Sequence, residues 1–223
     1  HGPGDGSLHA HIQMGQKIVD SFMDTCAQKC SGQLTTLSVI DLAELEHALP
    51  NALAAFSSST TQLIREQQYQ TVSDARSGAR EFAPSSKIDQ IDPVHLAQNM
   101  GTQEGQALTG ILLSAVKYNR TSSKMTNAYG LSIYFPYRRT AKVEQAVSTF
   151  GQIGMDKSYT QCIRQFSDVV ASGHAVSGGS DSPLPALLGM LGGDAGIDAE
   201  DISTLLSGRS LEMDHAEQYL ACD

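Results

Sequence analysis

Tyr129–Tyr137, YGLSIYFPY, carries the strongest strand pattern in the chain: apolar, aromatic and bounded by Pro136, which cannot donate to a sheet ladder. Leu34–Leu42, LTTLSVIDL, is the other clear strand, β-branched and apolar, with Asp41 placed to cap a following helix. Everything else with a periodic pattern reads as helix. Two strands among several helices indicate an α/β fold. Two strands do not make a stable sheet by themselves, so the remaining strands are expected in unrecognised segments or outside this chain.

Working outward, Ile12, Gly15, Ile18, Val19, Phe22, Met23 and Cys26 fall on one face of a helix expected over Ile12–Cys30, stopped by Ser31-Gly32. After the first strand, Leu42, Leu45, Leu49, Leu53 and Phe56 define a second helix, with Pro50 inside it as an expected kink. Helical character continues over Gln62–Glu81, with Ile64, Val72 and Ala75 inward, before a loop at Pro84-Ser85-Ser86. A short helix at Pro93–Met100 has Pro93 in its first turn and Asp92 as its cap. Further helices are expected over Glu104–Tyr118, Ala141–Phe150 and Ser158–Ala171, with a polar loop at Asn119–Asn127.

The ends differ in texture. Residues 1–11, HGPGDGSLHAH, lack periodicity and read as a disordered end. The G-P-G-D-G string is no phosphate loop, having no preceding strand and no following G-K-S/T. Residues 12–172 form the main domain. Residues 173–186 are a Gly/Ser/Pro-rich linker, and residues 187–223 an acidic tail of short helices. From His174 onward nine acids face one base, Arg209. With 24 acids and 15 bases in all, the body holds 15 acids and 14 bases and is nearly neutral, so most of the net charge of -9 sits in the tail. No basic stripe suited to nucleic acid appears, and no apolar run long enough to span a bilayer. There is no signal peptide in the 223 residues, so a leader for export is expected upstream.

Candidate chemistry is sparse. Cys26 and Cys30 are four apart on a helix. A zinc site would need two more ligands, and Cys162 and Cys222 have no neighbouring Cys, so helix packing is the simpler role. His9 and His11 could hold a metal only weakly. Cys162 lies mid-helix, His47 and His95 on helices and His174 in the linker. A nucleophilic thiolate more often sits at a strand end or helix N-terminus, which leaves these Cys and His residues structural. No G-x-S-x-G elbow supports serine hydrolase chemistry. Arg76 and Arg80 share a helix face, read as solvated by default, with pairing to a buried carboxylate as the alternative. Asp89 and Asp92 do not define a calcium site, and capping accounts for Asp92. Asn119-Arg120-Thr121 fits a glycosylation sequon, which carries no weight in a bacterial setting.

Taken in order, LSVIDLAELEHAL, YQTVSDARSGAREFA, KIDQIDPVHLAQNM, LLSAVKYNRTSSKMTNAYGLSIYFPYR and LSGRSLEMDHAEQYL resemble the clostripain family of cysteine peptidases, from about Ile12 to Tyr219. GLSIYFPY with its preceding loop is the most specific piece. The resemblance implies part of a caspase-like α/β/α sandwich, with a mostly parallel sheet between helices. It implies a Cys–His dyad cleaving after Arg or Lys, an exported or cell-envelope bacterial enzyme, and calcium dependence in some members. It also places the dyad and the acidic specificity residues upstream of the segment matching Ile12–Cys30. The chain is thus expected to hold no catalytic, metal or cofactor residue of its own. It reads as a piece truncated at both ends, associating with its own N-terminal part, through which protein or peptide substrate would be met. The alternative is a non-catalytic α/β protein-interaction module.

Overall fold

The computed structural model describes residues 5–173. Seven α-helices and five short strands alternate within them, so the chain is α/β with helices dominant. Helix α1 (Asp5–Lys29) precedes strand β1 (Thr36–Ile40), and α2 (Leu42–Arg65) and α3 (Tyr69–Gly78) follow. Strands β2 (Glu81–Phe82) and β3 (Gln90–Ile91) form a hairpin. Next come α4 (Pro93–Met100), α5 (Gln103–Ala115), β4 (Val116–Thr121), β5 (Ile133–Tyr134), α6 (Val143–Gln152) and α7 (Lys157–Ala171).

Every strand pairing is antiparallel: β1 with β4, and β3 with both β2 and β5. This corrects the expectation of a mostly parallel, caspase-like sandwich. Among the described residues there are one two-stranded and one three-stranded sheet, with no parallel ladder. Strand β4 supplies much of the difference. It begins at Val116 immediately after α5 ends, where a helix to Tyr118 and a loop from Asn119 were expected. Its alternation is real but half polar. Tyr118 and Arg120 face α1, where they donate to Asp20, and Arg120 also reaches Asp24. Asn119 lies on the opposite face, donating to Ala128 O.

Only Ile133–Tyr134 of the expected Tyr129–Tyr137 strand pairs as a strand. The rest of the segment satisfies its backbone elsewhere. Tyr129 N donates to the Asp92 carboxylate, and Gly130 O accepts from Ser38 Oγ. Gly130 adopts φ +105 and lies so close to β1 that a Cβ there would sit 2.8 Å from Ser38 Cβ. Only glycine tolerates both the conformation and the approach. Pro136 then lacks an N–H to give. The opposite face of β1 receives α1 equally closely, at Gly15 against Val39.

Residues 5–11, expected to be part of a disordered end, are the first turns of α1. The helical run expected over Gln62–Glu81 breaks at Glu66–Gln68, with Gln67 at φ +61, and becomes strand at Glu81. Helix α2 continues through Pro50. Asp41 and Asp92 cap α2 and α4 as their positions suggest, and Thr102 and Asp156 cap α5 and α7. The core lies where α2 packs on α5 and α7, and α4 on α3 and α5. Phe56, Val72, Val94, Leu108, Phe135, Ile163 and Phe166 are buried there. The expected linker at 173–186 and tail at 187–223 lie outside the described residues except for residue 173, and so do His174, Cys222 and the LSGRSLEMDHAEQYL segment.

Candidate functional site

The most concentrated polar chemistry in the described residues is buried and centred on Arg76 and Asp89. Helix α3 turns Val72 and Ala75 into the core and carries Arg76 in with them, 1% exposed. The guanidinium donates from Nη2 to Asp89 Oδ1 at 3.2 Å and from Nε to Phe135 O at 2.9 Å. It also stands 5.3 Å from the centroid of the Tyr137 ring, within cation–π range. Asp89 is fully buried and left-handed, at φ +55. Its carboxylate accepts the backbone N–H groups of Arg138 and Arg139, and its carbonyl accepts Phe135 N–H. Asp89 thus neutralises a buried cation with its carboxylate and, through carboxylate and carbonyl together, fixes the chain on both sides of Pro136. At the rim, Arg138 pairs with Glu81 at 3.0 Å. Burial, the leading effect, pulls the Arg76 pKa below its ordinary value, partly opposed by the nearby charges of Glu81 and Asp89. The expectation of a solvated Arg76 is therefore corrected; pairing with a buried carboxylate is what occurs.

A second node lies three residues on. Asp92 is fully buried. Its Oδ1 accepts from Val94 N and His95 N, and its Oδ2 from Tyr129 N at 2.6 Å. Burial raises its pKa, and those three amides hold the rise in check. His95 Nδ1 accepts from Arg80 N at 2.9 Å, which leaves the ring proton on Nε2. Burial foremost, then the Arg80 charge, lowers the His95 pKa. Arg80 in turn donates to the carbonyl and hydroxyl of Thr126. The carboxylates at 89 and 92 thus both grip the 126–139 segment, one through its C-terminal half and one through its start. No group of three His, Cys, Asp or Glu side chains in the described residues could hold a metal.

Among the described residues the free thiols and the imidazoles do not assemble. Cys162 on α7 is 1% exposed, hydrogen-bonded by Thr61, and burial pushes its thiol up to about 12. A thiol with that pKa is not a nucleophile at neutral pH. Cys26 is buried on α1, which packs against β1 and β4, whereas His95 lies on α4, which packs on α3 and α5. Cys30 follows α1, bonds its amide to Cys26 O, and is disulfide-bonded rather than a free thiol. His47, His9 and His11 are exposed on helices. Asn119 has both amide atoms engaged, by Thr36 and Ala128, and is no free glycan acceptor. Tyr134 was not singled out in the sequence. Its hydroxyl is buried without a protein hydrogen bond, and burial lifts its pKa to about 12, so it stays protonated.

A cleft of ≈ 300 Å³ opens beside the end of α1, lined by Met23, Cys26, Gln33, Arg120, Ser122 and Ser123. Its one cationic side chain among these is committed to Asp20 and Asp24. Arg138, Thr126 and Tyr129 border the buried site, yet no local pattern marks them. Arg76 and Arg80 at helical spacing, and Asp89 and Asp92 at capping spacing, were the only visible half. Set against known proteins, the chain matches no family model, no curated protein and no solved structure.

Proposed function

We propose that the described residues are a non-catalytic scaffold part of a clostripain-like cysteine endopeptidase that cleaves after Arg or Lys. One observation carries this reading: four of the five segments quoted for the resemblance meet around one buried site. YQTVSDARSGAREFA contributes Arg76 and Arg80, KIDQIDPVHLAQNM contributes Asp89, Asp92 and His95, and LLSAVKYNRTSSKMTNAYGLSIYFPYR contributes Thr126, Tyr129, Phe135 and Arg138. LSVIDLAELEHAL adds Ser38, bonded to Gly130. Sequence elements that must be kept together to hold one backbone segment are what a shared scaffold would preserve. The high thiol pKa of Cys162 fits a part that supplies no nucleophile. The dyad, the acidic pocket for the cationic side chain, any calcium site and export to the cell envelope or beyond would then belong to the longer enzyme.

A second reading, a non-catalytic interaction module, draws support from α1. There Leu8, Met14, Ile18 and Phe22 are 43–62% exposed along one side, an apolar surface suited to a partner. Hydrolysis of an Arg-ended fluorogenic peptide, with calcium and reductant, separates the two. The pure 223-residue chain is expected to be inactive, and a product extended upstream to show turnover blocked by iodoacetamide. Thiol-dependent turnover by the 223-residue chain alone sinks the scaffold reading. An inactive extended product without an upstream His and Cys favours the module.

A further inference from the structure

Strand β1 has an edge that nothing in the described residues pairs. The bonds from Ser122 N to Thr35 O and from Asp41 N to Ala115 O fix the phase of its ladder with β4. Alternate residues of an antiparallel pair turn their backbone groups inward. Leu37 and Val39 therefore bond β4, while Thr36, Ser38 and Ile40 turn their N–H and C=O groups outward. β1 pairs only with β4, and those outward groups have no hydrogen-bond partner among the described residues. The strand, TLSVI, carries neither proline nor charge, the usual means of blunting an edge. Helix α1 overhangs this edge. It lies across both strands, with Gly15 against Val39 of β1, and with Asp20 and Asp24 bonded to β4 through Tyr118 and Arg120. At about 3.6 residues per turn, Ile18 and Phe22 fall on the flank opposite Asp20 and Asp24, beyond β1. They are 59% and 43% exposed.

We propose that this surface binds a second copy of the chain, β1 against β1 and α1 against α1 about one two-fold axis. The axis passes between the two Ser38 residues, perpendicular to the ribbon. Antiparallel pairing in that register sets Thr36 opposite Ile40 of the second copy and Ser38 opposite its counterpart, so each outward N–H meets an outward C=O. Leu34 and Leu42, 50% and 71% exposed, flank Ser38 at equal distances in sequence. The same axis therefore brings Leu34 of one copy beside Leu42 of the other. The helix spacing agrees. Paired strands stand about 4.8 Å apart and α1 straddles β1 and β4, so the two α1 axes come about 10 Å apart, within the packing range of helices. Met14, Ile18 and Phe22 then meet their counterparts, and Asp20 and Asp24 point away from the axis. A strand from an unrelated protein could bond the same edge, but nothing in it need match Leu34 to Leu42 or fill the space beside α1. Closure also leaves β1 no edge for further growth. The proposal goes beyond both readings of function by naming a partner for the apolar side of α1. Its readout is mass rather than activity, so its failure and theirs are told apart.

Sedimentation equilibrium of the full 223-residue chain, at about 1–100 μM, tests this. A dimer of twice 23.8 kDa should form. Ile18→Lys puts a charge on the overhanging flank of α1 and should weaken dimerisation at least about tenfold. Thr36→Pro removes one outward N–H, a change that an edge strand tolerates, and should weaken it likewise. Ile153→Lys alters another exposed apolar residue, at the end of α6, and should leave the dimer unchanged. Circular dichroism should be the same for the parent and the variants. Where Thr36→Pro disturbs the fold, Ile18→Lys, at an exposed helix position, decides. A monomer at about 100 μM, or open-ended oligomers, would overturn the proposal. So would a folded Ile18→Lys or Thr36→Pro variant that dimerises like the parent, or loss of the dimer in Ile153→Lys.

Discussion

Replacing Asp89 with Asn removes one negative charge from a place where water cannot substitute for it. Asn tolerates the left-handed backbone at φ +55, so the change isolates the carboxylate from the conformation. The carboxylate has three donors around it, Arg76 Nη2 and the amides of Arg138 and Arg139. Asn offers one acceptor oxygen and turns an N–H group toward donors at the other position. Arg76, 1% exposed, then keeps its charge without a counter-ion. Removing one member of a buried pair typically costs about 3–5 kcal/mol. The oxygen retained by Asn and the neighbouring Glu81 place this case near the lower end, at about 3 kcal/mol. Domains of this kind have only about 5–15 kcal/mol in total, so the loss is a large share.

Urea unfolding followed by circular dichroism reads the effect. With a slope of about 1–3 kcal/mol per molar urea, the midpoint should fall by roughly 1–3 M at constant slope. Asp74→Asn, on an exposed side chain of the same helix, should change stability by no more than about 0.5 kcal/mol. The decisive variant is Arg76→Met with Asp89→Asn. If the stranded charge is the main cost, the double variant should be more stable than the sum of the single losses by about 2 kcal/mol. A single-variant loss below about 0.5 kcal/mol, or strictly additive losses, would refute the clamp.

Two further predictions test the site. Cys162, with its thiol at about 12, should resist iodoacetamide in the native protein at neutral pH and react once denatured, read by peptide mass; native alkylation at the rate of a free thiol would contradict the burial. His95 has a depressed pKa in the folded state, so below its unfolded value near 6.5 the unfolded chain binds more protons. The stability that His95 contributes is then full above that pH and is lost as pH falls through the folded value. Wild type should exceed His95→Ala most at pH 7.5, with the gap closing on acidification, and a pH-independent gap would remove the role given to the Arg80 N–H bond.

What was legible in the sequence was whatever local spacing encodes. Asp92 before Pro93, and Asp41 before Leu42, announced helix starts because a cap and its amides lie within three residues of each other. The helices were legible for the same reason, as their apolar stripes repeat over a turn. Strand β4 was not, because its inward side chains include Arg120, which reads as surface until Asp20 and Asp24 are known to lie opposite, about a hundred residues away in sequence. Strand direction was equally hidden. Leu37 and Val39 alternate identically whether the neighbouring strand runs parallel or antiparallel.

The same limit explains the buried site. Arg76 and Asp89 are thirteen residues apart on different elements, so neither spacing nor composition joins them. YGLSIYFPY looked like a nine-residue strand because its side chains are those of a buried extended segment. Its side chains do bury, as Phe135 and Pro136 show, but only two residues join a ladder. Tyr129, Phe135, Arg138 and Arg139 give their amides instead to Asp92 and Asp89 or to the Asp89 carbonyl. A motif of this sort is tied to residues upstream of it by hydrogen bonds that a strand would not need. Loss of the Asp89 carboxylate should accordingly loosen the whole 129–139 segment at once, and the urea series measures that coupling.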